Sequence, residues 1–171
     1  MLKRQGVKVF VIAKGKRMRE LLIEIAFVPL FIIWTVQIVL TAVGNPLFNL
    51  PELWDSQTVQ WAGLSLCLIG LLIFFAALVS FGNAWRVGID KKNSNRLVTG
   101  GIFAYSRNPI FLFMNMYFFG TFLIFPTLFF LASFLCFAIG VHIQILNEEL
   151  FLESKFGLEY VQYCKRVRRY I

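Results

Sequence analysis

The sequence predicts an all-α integral membrane protein with four transmembrane helices, followed by a C-terminal amphipathic helix. Three observations predict it. Composition is the first: 58% of the 171 residues are hydrophobic, including 20 Phe and 4 Trp, more apolar surface than a soluble domain of this size can bury. Pattern is the second: apolar runs cover residues 21–43, 59–81, 109–125 and 127–146. Charge is the third: every Lys and Arg lies outside those runs.

Residues 1–20 form a basic segment. It resembles the start of a signal peptide, but the run that follows is too long for an h-region and no small-x-small cleavage site follows it, so 21–43 reads as a retained span. The runs 21–43 and 59–81 both exceed the ~20 residues that cross a bilayer. The last two are shorter and meet at Phe125-Pro126-Thr127. Pro cannot continue the preceding helix but suits the first turn of the next. The pair therefore reads as a helical hairpin rather than one long kinked helix. Glu24 lies near the start of the first run, where it can pair with a basic neighbour.

Charge assigns the orientation. Seven basic residues precede the first run (Lys3, Arg4, Lys8, Lys14, Lys16, Arg17, Arg19), five lie between the second and third (Arg86, Lys91, Lys92, Arg96, Arg107), and five follow the fourth (Lys155, Lys165, Arg166, Arg168, Arg169). The segment 44–58 holds Glu52 and Asp55 and no basic residue. The positive-inside rule puts both termini and the loop 82–108 in the cytoplasm. A net charge of +8 arranged around apolar runs suits membrane lipids with anionic headgroups, not nucleic acid. Length indicates a single membrane domain over 1–171, with two spans in 21–81 and the remaining chemistry in 82–171.

Several site classes are excluded. Cys67, Cys136 and Cys164 form no CxxC pattern and read as reduced thiols. One His cannot build a multi-His metal or haem centre, so no metal is expected. There is no Walker motif and no GxGxxG after a strand.

Three segments on the cytoplasmic side remain. The loop 82–108 is long for a compact protein and carries Trp85, Arg86, Gly88 and Asp90, then Leu97, Val98, Thr99, Gly100, Gly101, Ile102 and Phe103. Arg107, Asn108 and Pro109 stand at the mouth of the third span, where free helix N–H groups can bind an anionic group. The tail carries Glu148 and Glu149, then Phe156, Gly157 and Tyr160, then Arg168 and Arg169. Plainer readings compete: Arg107 as a lipid-phosphate anchor, the glutamates as a solvated helix face, and the tail 148–163 as an amphipathic helix lying on the membrane with Gly157 capping or kinking it. His142 alone is a packing residue more often than a catalyst. His142 and Glu149 are seven residues apart, however, and so project from one face of a continuous helix.

In order and spacing these segments resemble the membrane methyltransferases related to isoprenylcysteine carboxyl methyltransferase and phospholipid methyltransferase. The pattern runs Trp-Arg-x-Gly-x-Asp at 85–90, Leu-Val-Thr-x-Gly-x-Phe-x-x-x-Arg-Asn-Pro at 97–109, and Glu-Glu through Phe-Gly to Val-x-Arg over 148–169. This version is similar to the bacterial branch, which implies a bacterial inner membrane. The resemblance implies S-adenosylmethionine as cofactor, bound on the cytoplasmic face. By position, Leu97, Val98, Phe103, Asn108, Pro109, Ile110, Phe111, Glu148 and Glu149 would line its pocket. Arg107, Glu148 and Arg169 would carry catalysis, and His142, Gln144 and Arg169 would face a lipophilic small-molecule or prenylated acceptor. The chain departs from the family where Asn108 replaces the usual His and Phe111 the usual Tyr. The implied reaction is isoprenylcysteine-type carboxyl O-methylation. The rivals are phospholipid N-methylation, an NADPH-dependent membrane reductase and a non-catalytic membrane adaptor.

Overall fold

A computed structural model describes residues 18–81 and 97–171, with the side chains of 18–28 excepted. The motif at 85–90 and the basic residues of 1–17 lie outside the described residues, as does the side chain of Glu24. Among the described residues the chain is helical: α1 (Met18–Ala42), α2 (Gln57–Phe81), a short 3-10 turn (Gly101–Ala104), α3 (Pro109–Ile124), α4 (Leu128–Phe156) and α5 (Leu158–Arg166). Among the described residues, α2 and α4 are long and apolar enough for a bilayer crossing, and Pro29–Ala42 of α1 and Pro109–Ile124 are shorter apolar stretches. Helix α3 has 16 residues, roughly 24 Å at 1.5 Å per residue, short of the ~30 Å hydrocarbon core.

Two interfaces of the bundle are built by opposite means. Helices α2 and α3 approach until backbone meets backbone. A Cβ added to Gly63 would stand 2.6 Å from the Gly120 carbonyl oxygen, and one added to Gly120 would stand 2.5 Å from Cys67 Sγ. Close approach on small residues is how helices associate where no hydrophobic force separates protein from lipid. Helix α1, by contrast, is joined to the bundle by large rings. Trp34 stacks on Phe118 at 4.3 Å between centroids, and Phe118 stacks in turn on Phe137 of α4 at 3.8 Å. Trp54 meets Phe122 edge-on at 5.2 Å. Trp34, Phe118, Phe122 and Phe130 form the buried centre of this cluster, and ring pairs of this kind contribute about 0.5–1.5 kcal/mol each beyond the area they bury.

The end of the bundle away from α5 is tied by polar contacts. Gln37 of α1 is buried and reads the backbone of Phe48 twice: its Nε2 donates to the Phe48 carbonyl at 3.0 Å, and Phe48 N–H donates to its Oε1 at 3.0 Å. Leu53 N–H donates to the Pro126 carbonyl at 2.6 Å, which pins the α1–α2 connection to the hairpin tip.

Two expectations need correction. Pro126 is not in the first turn of α4: Thr127 is the N-cap and Pro126 precedes it. The tail 148–163 is not one separate amphipathic helix either. Helix α4 runs unbroken for 29 residues through Phe156, because the polar residues from Asn147 onward end the apolar run without ending the i→i−4 ladder. The break comes at Gly157, whose φ of +52° suits glycine and whose N–H donates to the Glu153 carbonyl at 2.8 Å.

Candidate functional site

The end of the bundle where α2, α3, α4 and α5 converge gathers the polar side chains. The approach to α3 is set by a tight turn. Gly101 adopts φ +61°, and a Cβ there would overlap Ser80 Oγ at the end of α2. Ser80 Oγ accepts from Ile102 N–H at 3.1 Å. Phe103 is thereby buried against Phe81, edge-on at 4.7 Å.

Helix α5 closes over this turn. Tyr160, Tyr163 and Val167 bury Leu97 in a second apolar cluster. The Tyr163 hydroxyl donates to the Phe103 carbonyl at 2.7 Å. Burial pushes the Tyr163 phenol up to about 12, against the opposing pull of Arg107. Tyr160 is also raised, first by burial and then by the negative charge of Glu149.

The chain leaving α5 then crosses the mouth of α3. Arg107 N–H donates to the Arg168 carbonyl at 3.0 Å, and Asn108 Nδ2 donates to the Arg169 carbonyl at 3.1 Å. Glu149 of α4 sits between the two arginine side chains. Its Oε1 accepts from Arg169 Nε at 3.1 Å and its Oε2 from Arg169 Nη2 at 2.8 Å. Arg107 Nη1 lies 3.2 Å from Oε1, with both side chains only 13% exposed. The Glu149 hydrogen bond raises the Arg169 pKa further. Arg107 Nη1 also donates to Cys164 Sγ at 2.6 Å, whereas its buried Nε has no partner among the described residues.

Glu148, one residue earlier, is half-buried and makes no hydrogen bond or ion pair among the described residues. It lies beyond the apolar run that ends at Leu146. Burial raises its carboxyl, and the adjacent Glu149 carboxylate raises it further. His142, almost two turns back on the face of Glu149, reaches the same C-terminal segment: its Nδ1 is 3.0 Å from the Tyr170 hydroxyl. Gln144 is half-buried but lies about 200° around the helix from His142 and does not share that face. Leu97, Phe103, Asn108 and Pro109 are buried, while Val98, Ile110 and Phe111 stay half-buried.

Tyr163 belongs to the motif over 148–169, whereas Tyr170, Ser80 and Cys164 join the site without any signal in sequence spacing. Only the fold brings the four to Phe103, His142, Ile102 and Arg107. No group of His, Cys, Asp and Glu among the described residues could hold a metal ion.

Fold and site together define a helical membrane protein with an Arg–Glu–Arg junction and, beside it, a carboxylate that no described residue engages, at one end of its bundle. Over residues 58–159 the chain matches phospholipid methyltransferase. It belongs to that family of membrane methyltransferases, which includes the isoprenylcysteine carboxyl methyltransferases. The match begins in α2, upstream of the motifs that carry the resemblance, and ends in α5. No curated protein matches the sequence.

Proposed function

We propose that the protein transfers a methyl group from S-adenosylmethionine to a lipophilic acceptor at the membrane interface, through isoprenylcysteine-type carboxyl O-methylation. The family match over 58–159 carries the reaction class. In this reading the bundle crosses a bacterial inner membrane four times, with α3 as the short member, and the site faces the cytoplasm as the basic residues direct.

The residues present fit the donor. Glu148 has a carboxylate that no described residue occupies, and such a group accepts bonds from ribose hydroxyls and favours a nearby sulfonium. Val98, Ile110 and Phe111 retain exposed apolar surface for the base. When bound, the donor supplies an electrophilic methyl group. Arg169 orients the acceptor: two of its nitrogens are held by Glu149, and Nη1 makes no hydrogen bond among the described residues, which leaves it for an anionic group. Holding two reactants in line is by itself worth about 7–11 kcal/mol of barrier. Transfer of that methyl to an anionic acceptor would cancel two opposite charges, so α5, by closing over the site and excluding water, would favour it. A carboxylate acceptor needs no base.

The family's description favours a second reading, N-methylation of a phospholipid headgroup. There Arg169 would hold the phosphate, and His142 would be the available proton acceptor. One experiment separates the readings: incubate membranes containing the protein with methyl-labelled donor, total lipids and prenylated thiols, then identify the product by mass. Label in a base-labile methyl ester supports carboxyl methylation, and label in a headgroup amine supports the second. Label in neither, with donor turnover absent, refutes both.

A further inference from the structure

Glu148 and Glu149 adjoin in sequence, but the fold surrounds them differently. Both oxygens of Glu149 are engaged by guanidinium groups, from Arg107 just before α3 and Arg169 just after α5. Those same two segments are joined by Arg107 N–H on the Arg168 carbonyl and by Asn108 Nδ2 on the Arg169 carbonyl. A ligand that took Glu149 would have to break this junction and leave buried arginine uncompensated, which is strongly unfavourable. Glu148 is turned about 100° from it and is not held by any described residue.

We propose that Glu149 is a positioning residue that clamps residues 167–170 onto the mouth of α3, and that ligand contact at this pair falls to Glu148 alone. The clamp assembles the site by fixing Asn108 and the backbone of Arg107. Only the identity of the ligand rests on the methyltransferase reading.

The test uses full-length protein in detergent or nanodiscs. Hydrogen exchange by mass spectrometry follows the Arg107 amide, which is bonded to Arg168. Maleimide alkylation follows Cys164, whose sulfur is covered by Arg107. Equilibrium binding uses S-adenosylmethionine itself. Glu149→Gln and Arg169→Gln should each speed both local readouts about tenfold and weaken binding by similar factors. The double variant should be no worse than Glu149→Gln alone, because the Arg169 contact is already lost with Glu149. Arg169→Lys, which keeps the charge, should fall between wild type and Arg169→Gln. Glu148→Gln should weaken binding at least tenfold with exchange and alkylation unchanged. The proposal is overturned if Glu149→Gln abolishes binding with the Arg107 amide still protected, or if the two single effects simply add. A wild-type protein that does not bind the donor sinks the methyltransferase reading, while exchange and alkylation still decide the clamp.

Discussion

Replacing Gly63 by Ala puts the α2–α3 interface to a quantitative test. The new methyl would stand 2.6 Å from the Gly120 carbonyl oxygen and 2.8 Å from Leu123 Cβ. Ordinary contact begins near 3.4 Å, so the helices must part by about 0.8 Å, and neither obstacle is the end of a flexible side chain. Gaps of that size forfeit roughly a quarter to a half of each dispersion contact along the seam, and overpacking typically costs about 1–3 kcal/mol. Ala also gains up to ~1 kcal/mol of helix propensity over Gly. Gly70→Ala supplies the control: it earns the same propensity, but its nearest neighbour is Met116 Cβ at 3.2 Å, which needs to give only slightly. The difference between the two variants isolates the overlap, and about 1–2 kcal/mol is expected. Reversible unfolding in mixed micelles, followed by tryptophan fluorescence, measures it. Equal stability of the two variants within ~0.5 kcal/mol would refute the claim that backbone contact at Gly63 sets this interface.

Further outcomes follow from the polar contacts. Tyr163→Phe leaves the Phe103 carbonyl without its donor and should cost on the order of 1–3 kcal/mol. Because the folded Tyr163 pKa is raised from 10.0 to about 12, its contribution is fully present below pH 10 and is lost as pH rises towards 12; spectrophotometric titration with parallel unfolding checks both. Glu148 is also raised, from 4.5, so the stability its protonated form contributes is present below pH 4.5 and is lost as pH rises through the raised value. Glu148→Gln should flatten that part of the stability profile, and an unchanged profile would show that Glu148 is solvated. Gln37→Leu keeps the volume but strips both partners from the Phe48 backbone; a loss of about 2 kcal/mol or more in the same unfolding assay is expected.

Much of the bundle was legible in hydropathy. The expected runs 59–81 and 109–125 differ from Gln57–Phe81 and Pro109–Ile124 by two residues or fewer at either end, because in these helices the apolar run and the hydrogen-bond ladder end together. In α4 they do not. The apolar run ends at Leu146 and the ladder continues through Glu148, Glu149, Phe151 and Lys155, residues that carry no helix-breaking chemistry. The site was legible in part for a related reason. His142 and Glu149 could be paired because a helix has a known period. The contacts of Glu149 with Arg169, 20 residues away, and of Tyr163 with Phe103, 60 residues away, depend on how α5 folds back at Gly157, and no local period encodes that return. Gln37 was missed because a lone amide in an apolar run gives no sign of the backbone it will meet.

The unbroken course of α4 also limits how the gene can change length. His142 and Glu149 both reach the segment 167–170 from one face of the same rod. One codon inserted between them would swing Glu149 by about 100° and advance it by about 1.5 Å, out of reach of both arginines. Insertions and deletions should therefore be purged from the stretch 142–149, whereas the tip of the α1–α2 connection around Gly44, where even an added side chain meets nothing, is where length variation should accumulate.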